Sequence, residues 1–495
     1  MASPRATIVT LAILLACSGA SGQQAIMPRS MPRLGEVDAR FQSYNIEMVT
    51  VTGGRFWKPY GVRPDRELYA ERSPIDLTNA RLRKLTAALG PAYIRVSGSW
   101  ANATYFADRD ESGRPPPPGY TSVLTHAQWR GVLDFAAASV ESQIVTSFAV
   151  SPGSRDTGGA WRPEQAERLL GFTHALGGHI AAAEFMNEPD LAPQNAAPSG
   201  YDAAAYGRDF RTFRAFMRTA SPATLIAGPG SIGDNATSAA GLGPRDLLAA
   251  SGSDLDVISY HHYGTLSARC GGRGRPMQAL REAWFLRGEP ALAVYKALRD
   301  RYAPGRPIWL TETADAACGG NPWDATFLDS FRYLDQLGRL ARAGVAVVMH
   351  NTLSGSDYGL LDEQTFAPRP NYWAALLWHR LMGAVVLDAG MAAQAGLRVY
   401  AHCASRRSGG VTILAINPSG RRQAFTLPLA AMRYTLAAPR LQSGTVQLNG
   451  AGLSLRESDT LPAIAGIATA AGVIAFAPRT ITFLEIPNAA NPACR

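Results

Sequence analysis

Cysteine is scarce in this chain: five residues in 495, with no Cys-x-x-Cys pair and no His/Cys cluster at zinc spacing. No metal or other cofactor is therefore expected. Beyond the first 22 residues, no apolar run approaches the roughly 18 residues needed to cross a bilayer. Internal repeats are absent, and the one low-complexity patch, Pro115–Pro118, reads as a stiff exposed loop. Charged residues make up only 18% of the chain against 46% apolar, the balance of a globular protein and not of a disordered one.

The length accommodates a barrel of about 250–400 residues and one further module. A net charge of +9 and a pI near 9.4 leave a polyanionic ligand open without requiring one, and nothing marks a nucleic-acid binder. Residues 1–22 have the shape of an export signal. Arg5 supplies the charge, Ile8 to Ala16 the apolar core, and Ala20-Ser21-Gly22 the small-residue cleavage region. A secreted or periplasmic protein is expected, with membrane association only through a lipid on Cys17. Export leaves Cys270, Cys318, Cys403 and Cys494, an even count that predicts two disulfides with three pairings open.

Eight short apolar runs recur at barrel-like intervals: 41–48, 92–96, 143–150, 182–187, 225–227, 257–260, 308–311 and 345–349. Helical periodicity separates several of them, at 77–89, 126–140, 163–176, 203–219 and 326–343. The alternation predicts an α/β fold, a (β/α)8 TIM barrel. Past residue 382 short alternating runs punctuated by Gly, Pro, Asn and Ser take over: 397–402, 411–417, 423–427, 445–448, 453–456, 473–476 and 480–486. They predict a C-terminal β-sandwich domain. The expected order is a signal at 1–22, an N-terminal segment at 23–40, a catalytic barrel at 41–382 and a sandwich at 383–495.

Two of the runs end in a carboxylate: Ile308-Trp309-Leu310-Thr311-Glu312 and Ala183-Glu184-Phe185-Met186-Asn187-Glu188-Pro189. They stand 124 residues apart, about three βα units, which puts the two glutamates on the fourth and seventh strands. Paired carboxylates at the C-terminal mouth of a barrel are what glycosidic hydrolysis requires. Glu188 reads as acid/base, Glu312 as the nucleophile that must be ionised at working pH, and Asn187 as the partner of the sugar 2-hydroxyl. Other strand ends should line the same mouth: Ser99 after the second strand, one of His261 and His262 with Tyr263 after the sixth, and Asn351 after the eighth. Gly319 and Gly320 offer backbone N–H donors to an anionic group and Tyr358 a phenolic one. The loop from Ser267 to Arg275 carries Arg269, Arg273 and Arg275 among glycines and suits sulfate or carboxylate, with Arg155 and Arg162 extending the positive rim.

At this point the chain resembles the heparanase family, glycoside hydrolase family 79, over nearly all of its length beyond the signal. The residues that carry the likeness run in order through both expected domains. They are Pro91–Ser99, Asn187-Glu188-Pro189, Tyr260-His261-His262-Tyr263, Trp309–Thr313, Gly359–Asp362, Asn371-Tyr372-Trp373, Arg398–Cys403, Val446–Gly450, Asp459–Pro462 and Ala493-Cys494. The resemblance implies a TIM barrel whose sandwich takes in a little of the N-terminal segment, and retaining hydrolysis of β-linked glucuronic acid. By resemblance Glu188 is the acid/base and Glu312 the nucleophile, and Gly319, Gly320 and Tyr358 match positions that hold the glucuronate carboxylate. Glu47, Ser99, Asn187, His262, Tyr263 and Asn351 match other sugar-binding positions. The resemblance further implies a Cys403–Cys494 bridge, leaving Cys270 with Cys318. Residues 108–120 are too short for the excised linker of the family's animal members, so a single chain active without cleavage is expected, and a monomer; the lysine runs with which those members grip heparan sulfate do not occur. An acidic polysaccharide or glucuronide is the expected substrate. The leading expectation is an endo-β-glucuronidase on heparan-sulfate-like glycans, with Arg273 reading sulfate. The alternatives are an exo-acting β-glucuronidase, a barrel glycosidase for neutral sugars, and a non-catalytic glycan binder.

Overall fold

The computed structural model describes residues 24–60, 67–107, 114–192, 194–232, 242–252, 254–391 and 396–495; the signal-like segment 1–22, with Cys17, lies outside them. Eight parallel strands close into a barrel in chain order: Gln42–Glu47, Tyr93–Ser97, Gln143–Ser147, Ile180–Glu184, Leu225–Ile232, Val257–Leu266, Ile308–Ala317 and Val347–His350. All eight predicted strands are present. The first pairs with the eighth through Val348 and Gln42, which completes the ring. These strands are buried on both faces, so they read as continuous apolar runs instead of alternating ones. The barrel interior is packed by side chains of unequal size: Tyr93 and Trp309, with ring centroids 4.7 Å apart, are offset by Ala182 and Ala227.

Helices form where the sequence shows a 3.6-residue period, and the third strand's predecessor, His126–Ala138, opens with a capping box. Thr125 Oγ1 accepts from Gln128 N–H while Gln128 Oε1 accepts from Thr125 N–H. Three longer helices were not foreseen: Pro244–Ser251, Gly288–Tyr302 and Pro370–Leu381. The last is enclosed on almost every side, and a helix apolar all round has no amphipathic period to find.

The C-terminal region is an antiparallel sheet in which Thr480–Ile486 lies between Val411–Asn417 and Ala431–Ala437, faced by the pair Gln423–Leu427 and Gly472–Phe476. Residues 453–456 do not form the expected strand; Ala451–Gly452 forms a two-residue one in its place, and Ala431–Ala437 was not foreseen. Arg33–Glu36 pairs with Met382–Leu387 at the sheet edge, and Ala25 bridges to Thr426 across the other sheet. Ile26 and Met31 join Phe425, Phe476, Ile413 and Leu484 in one core. Cys403 is bonded to Cys494, and Cys270 to Cys318. Among the described residues no helix is long and apolar enough to cross a membrane.

Barrel and sheet meet at a buried charge. Asp335, on the helix Phe327–Arg342 that follows the seventh strand, accepts from Tyr400 Oη at 2.6 Å, Arg339 Nε at 2.8 Å and Arg398 Nη1 at 3.3 Å. Arg398 also pairs with Glu282. Gly338 lets the Tyr400 ring lie flat on the helix, since a Cβ there would fall 2.4 Å from the ring. Breaking a buried ion pair on one side leaves its partners uncompensated. Asp335→Leu should therefore lower stability by about 3–5 kcal/mol and Tyr400→Phe by about 1.5–3 kcal/mol in denaturant titration; losses below ~1 kcal/mol for both would show that this contact does not hold the two parts together.

Candidate active site

The carboxyl ends of the barrel strands converge on a cleft of ≈ 590 Å³, within the size that a small-molecule ligand fills. Glu312 rises from the seventh strand. Glu188 follows the fourth, held in a left-handed conformation (φ 45°, ψ 66°) just before the turn Pro189–Leu191. One carboxylate oxygen from each glutamate and one nitrogen of His261 all lie within 4.8 Å of one another. Glu312 Oε1 accepts from the Tyr263 hydroxyl at 2.6 Å and Oε2 from Arg95 Nη1 at 2.9 Å. His261 Nδ1 donates to Glu188 Oε1 at 3.0 Å and stands 3.8 Å from Glu312 Oε2.

Arg95 ties these groups together. It sits on the second strand with 1% of its side chain exposed and also reaches Glu184, with Nε at 3.0 Å and Nη2 at 2.8 Å. Nη2 donates to Asn187 Oδ1 at 2.8 Å and faces His261 Nε2 at 3.2 Å. A guanidinium enclosed this way is compensated only by equally buried anions. Burial pushes the Glu312 carboxyl up, but His261 and Arg95 outweigh it and hold the group below its ordinary value; Arg95 does the same for Glu184. Burial likewise pulls the His261 imidazole down, and the Glu312 charge with the Glu188 hydrogen bond turns that into a net rise.

Glu47, at the end of the first strand, goes the other way: burial, then the neighbouring Glu312 charge, push its carboxyl well above the usual range. Its Oε1 accepts from Asn351 Nδ2 at 3.0 Å. Its Oε2, together with Asn187 Nδ2 and Asn351 Oδ1, is buried with no hydrogen-bond partner in the protein. Of the three residues, Glu47 and Asn351 line the cleft and Asn187 does not; each atom keeps capacity for a further partner, since a buried polar atom left unpaired costs about 1–3 kcal/mol. Gly98 makes room for Glu47: its φ is +93°, and a Cβ there would fall 1.7 Å from Glu47 Oε2.

Glu47, Ser99, Glu188, Tyr263, Glu312, Asn351 and Tyr358 line this cleft. Gly319 and Gly320, with φ of +80° and +90°, follow the cleft-lining Cys318, and a Cβ on Gly320 would stand 3.0 Å from the Tyr358 amide nitrogen. His350 Nε2 holds the Tyr358 carbonyl at 2.8 Å. Two expectations need correcting. Of the paired histidines, His261 enters the site; His262 borders a separate crevice beside Trp284 and Gly288. Arg273 is exposed and is not among the lining residues. Arg155 is buried against Asp209 at 2.7 Å, and Arg162 pairs with Glu164 on the surface, so neither forms a positive rim. The sequence reading passed over Arg95 and Glu184, and named His261 only as one of a pair. A charge inside a buried run, as in Tyr93-Ile94-Arg95-Val96-Ser97, was the available signal. It also passed over the hairpin Gly54–Trp57/Tyr69–Arg72, where Trp57 stacks on Tyr69 at 4.6 Å and Arg55 lies over the Tyr69 ring at 5.6 Å.

Among the described residues two groups have the spacing of metal ligands, Glu188/His261/Glu312 and Asp315/Asp324/Asp329. In the first, Arg95, Tyr263 and His261 already donate to the carboxylates. In the second, Asp315 accepts from Trp284, Asn321 and Trp323, and Asp329 grips Arg332 with both oxygens. Asp324, the third member of the second group, differs: both its carboxylate oxygens are buried with no hydrogen-bond partner in the protein, and burial, then the neighbouring Asp315, push its carboxyl well above the usual range.

No protein-family model matches the chain. It is 31% identical to the heparanase of Gallus gallus over 414 residues, covering 75% of each protein. It is 32% identical to the baicalin-beta-D-glucuronidase of Scutellaria baicalensis over 249 residues, 48% of this chain and 46% of that one. Among solved structures, a 4-O-alpha-L-rhamnosyl-beta-D-glucuronidase from Fusarium oxysporum superposes with a TM-score of 0.64 at 13% identity, over 94% of this chain and 99% of the other, a likeness of fold.

The depressed carboxyls set a pH dependence. A folded-state value below the unfolded one contributes stability that is present above the unfolded value and lost as pH falls through the folded one. The Arg95 cluster should thus stabilise the protein at neutral pH and cease to in acid. The difference in thermal midpoint between the parent and Arg95→Gln should be largest near pH 7 and close below the ordinary glutamate value of 4.5. A pH-independent difference would remove Arg95 from this role.

Proposed function

Since the chain belongs to the heparanase family and is a glycoside hydrolase, we propose that it cleaves β-glucuronidic linkages with retention, by double displacement. The observation that carries the reading is the approach of Glu188 and Glu312 oxygens to within 4.8 Å. Retaining glycosidases hold their two carboxyl groups about 5–5.5 Å apart, whereas inverting ones need about 6.5–9.5 Å to seat a water between them.

In the first step a Glu312 oxygen attacks the anomeric carbon while Glu188 gives its proton to the departing glycosidic oxygen. The C–O bond to the leaving group breaks and a glycosyl ester on Glu312 forms. In the second, Glu188 takes a proton from water, the hydroxide attacks the same carbon, and the Glu312 carboxylate departs. Arg95 and Tyr263 keep Glu312 anionic and aimed, and His261 orients Glu188. Asn187 Nδ2, Asn351 Oδ1 and the Glu47 carboxyl supply hydroxyl partners, and the Gly319-Gly320 backbone with Tyr358 faces the substrate carboxylate. The relative named for baicalin glucuronide cleavage supports glucuronic acid as the sugar. Two disulfides fit an oxidising, extracytoplasmic setting.

Proton NMR of the first product released from a β-glucuronide should show the β-anomer before mutarotation; the α-anomer would sink the double displacement. Glu312→Gln should abolish turnover. Glu188→Gln should cost about 10²–10⁴-fold on substrates with poor leaving groups and far less on activated aryl glucuronides, with equal losses arguing against its acid role. The acid limb of kcat/KM should lie below 4.5, the ordinary value for a glutamate, because the Glu312 carboxyl is depressed and is protonated only at lower pH.

A further inference from the structure

A general acid stands beside the oxygen that leaves, so the surface beyond Glu188 is the surface the aglycone meets. Three elements build it: the loop after the fourth strand, the end of the fifth and the end of the sixth. They contribute Leu191, Ala196, Ile232 and Leu266, with Gln194 and Asn195 as the polar members, and none of these six is ionisable. Leu266 keeps 52% of its surface exposed at the cleft. An apolar side chain held open beside a catalytic group has a reason to be there when its neighbours are apolar too.

The cations that a sulfated leaving group would need are committed elsewhere. The Arg269 guanidinium, 7% exposed, pairs with Asp357 at 2.6 Å, donates to the Cys318 carbonyl and Ser356, and lies 4.0 Å over the Tyr60 ring. Among the described lining residues Arg55 is the one cation besides the substrate-facing machinery, and its hairpin follows the first strand, diametrically across the ring from the fifth. A sulfate or carboxylate placed against Leu191, Ile232 and Leu266 would lose its hydration without gaining a bidentate partner.

We propose that the leaving-group side of the cleft takes an uncharged, apolar aglycone, so that the substrates are β-glucuronides of hydrophobic alcohols or phenols and not sulfated chains cut in their interior. The assignment rests on the β-glucuronidase reading above and names the substrate class of that same site. It departs from the leading expectation of a heparan-sulfate-like substrate: of the loop arginines that would read sulfate, Arg269 is paired internally and Arg273 is not among the lining residues.

The test uses the full chain with methyl, phenyl and biphenylyl β-D-glucuronides, the two phenols matched in acidity, and a heparan-sulfate tetrasaccharide with an internal glucuronate. KM should fall about fivefold or more from phenyl to biphenylyl, the scale of an apolar-pocket contact. Leu266→Ala and Ile232→Ala should narrow that gap, Leu266→Arg should erase it, and 0.5 M NaCl should leave the aryl rates within about twofold. A KM indifferent to aglycone size would overturn the assignment. So would higher kcat/KM on the tetrasaccharide with a rate that falls as salt rises. Hydrolysis of none of these compounds would instead defeat the β-glucuronidase reading, and this assignment with it.

Discussion

A permanently charged guanidinium at the axis of a barrel is tolerable only if anions are brought to it, and much of this site is organised by that requirement. Arg95 is 1% exposed, and four of its neighbours from three other strands or their loops face it: Glu184, Asn187, His261 and Glu312. The same contacts that neutralise it leave Glu312 ionised and close off the alternative hydrogen bonds of Asn187 Oδ1 and His261 Nε2. Of these two groups Asn187 Nδ2 remains unpaired within the protein, while His261 Nδ1 turns to Glu188. Structural compensation and chemical readiness are one arrangement. It would be poorly served by lysine, whose point charge cannot address several acceptors from a planar fork.

The eight strands, both carboxylates and the sandwich were readable because each rests on local pattern: continuous apolar runs, a terminal glutamate, alternation between turn residues. The histidines were not, for a geometric reason. Choosing between His261 and His262 is a question of which face a residue takes, and that follows parity along a strand. The sixth strand is itself continuous there; the extra residues lie in its neighbours, Gly230 in the fifth and Thr311 in the seventh, so its register against both shifts around Tyr260 and His261. An unpaired extra residue re-aims every side chain beyond it, and nothing in the composition announces it. The loop arginines failed for a different reason. Arg269, Arg273 and Arg275 are alike in sequence, yet Asp357, 88 residues away from the first of them, draws Arg269 into the protein. Long-range pairing of that kind leaves no local trace.

The loops after the sixth, seventh and eighth strands are fastened to one another and to the hairpin after the first. The Cys270–Cys318 bridge joins two of them, Asp357 takes Arg269, and Tyr60 contributes its backbone N–H to Asp357 and its hydroxyl to the Arg269 amide. Trp57 rests against Gly319, where a side chain would not fit. Gly319 and Gly320 thus sit inside a cross-linked collar. Their positive backbone angles, which only glycine adopts at little cost, are held by contacts from three directions and not by the turn alone.

Strand order in the sandwich bears on how a ribosome delivers this protein. Arg33–Glu36 forms one edge of the sheet, while its centre is Thr480–Ile486, made some 450 residues later. Until that strand emerges, Val411–Asn417 and Ala431–Ala437 have no partner between them. The whole barrel, cleft included, is by then synthesised. Closure of such widely separated partners is slow, and the core that Ile26 and Met31 share with Ile413 and Phe425 is completed only when Leu484 and Ile486 reach it. Release of the last strand, more than any step in the barrel, is the event that makes the molecule whole.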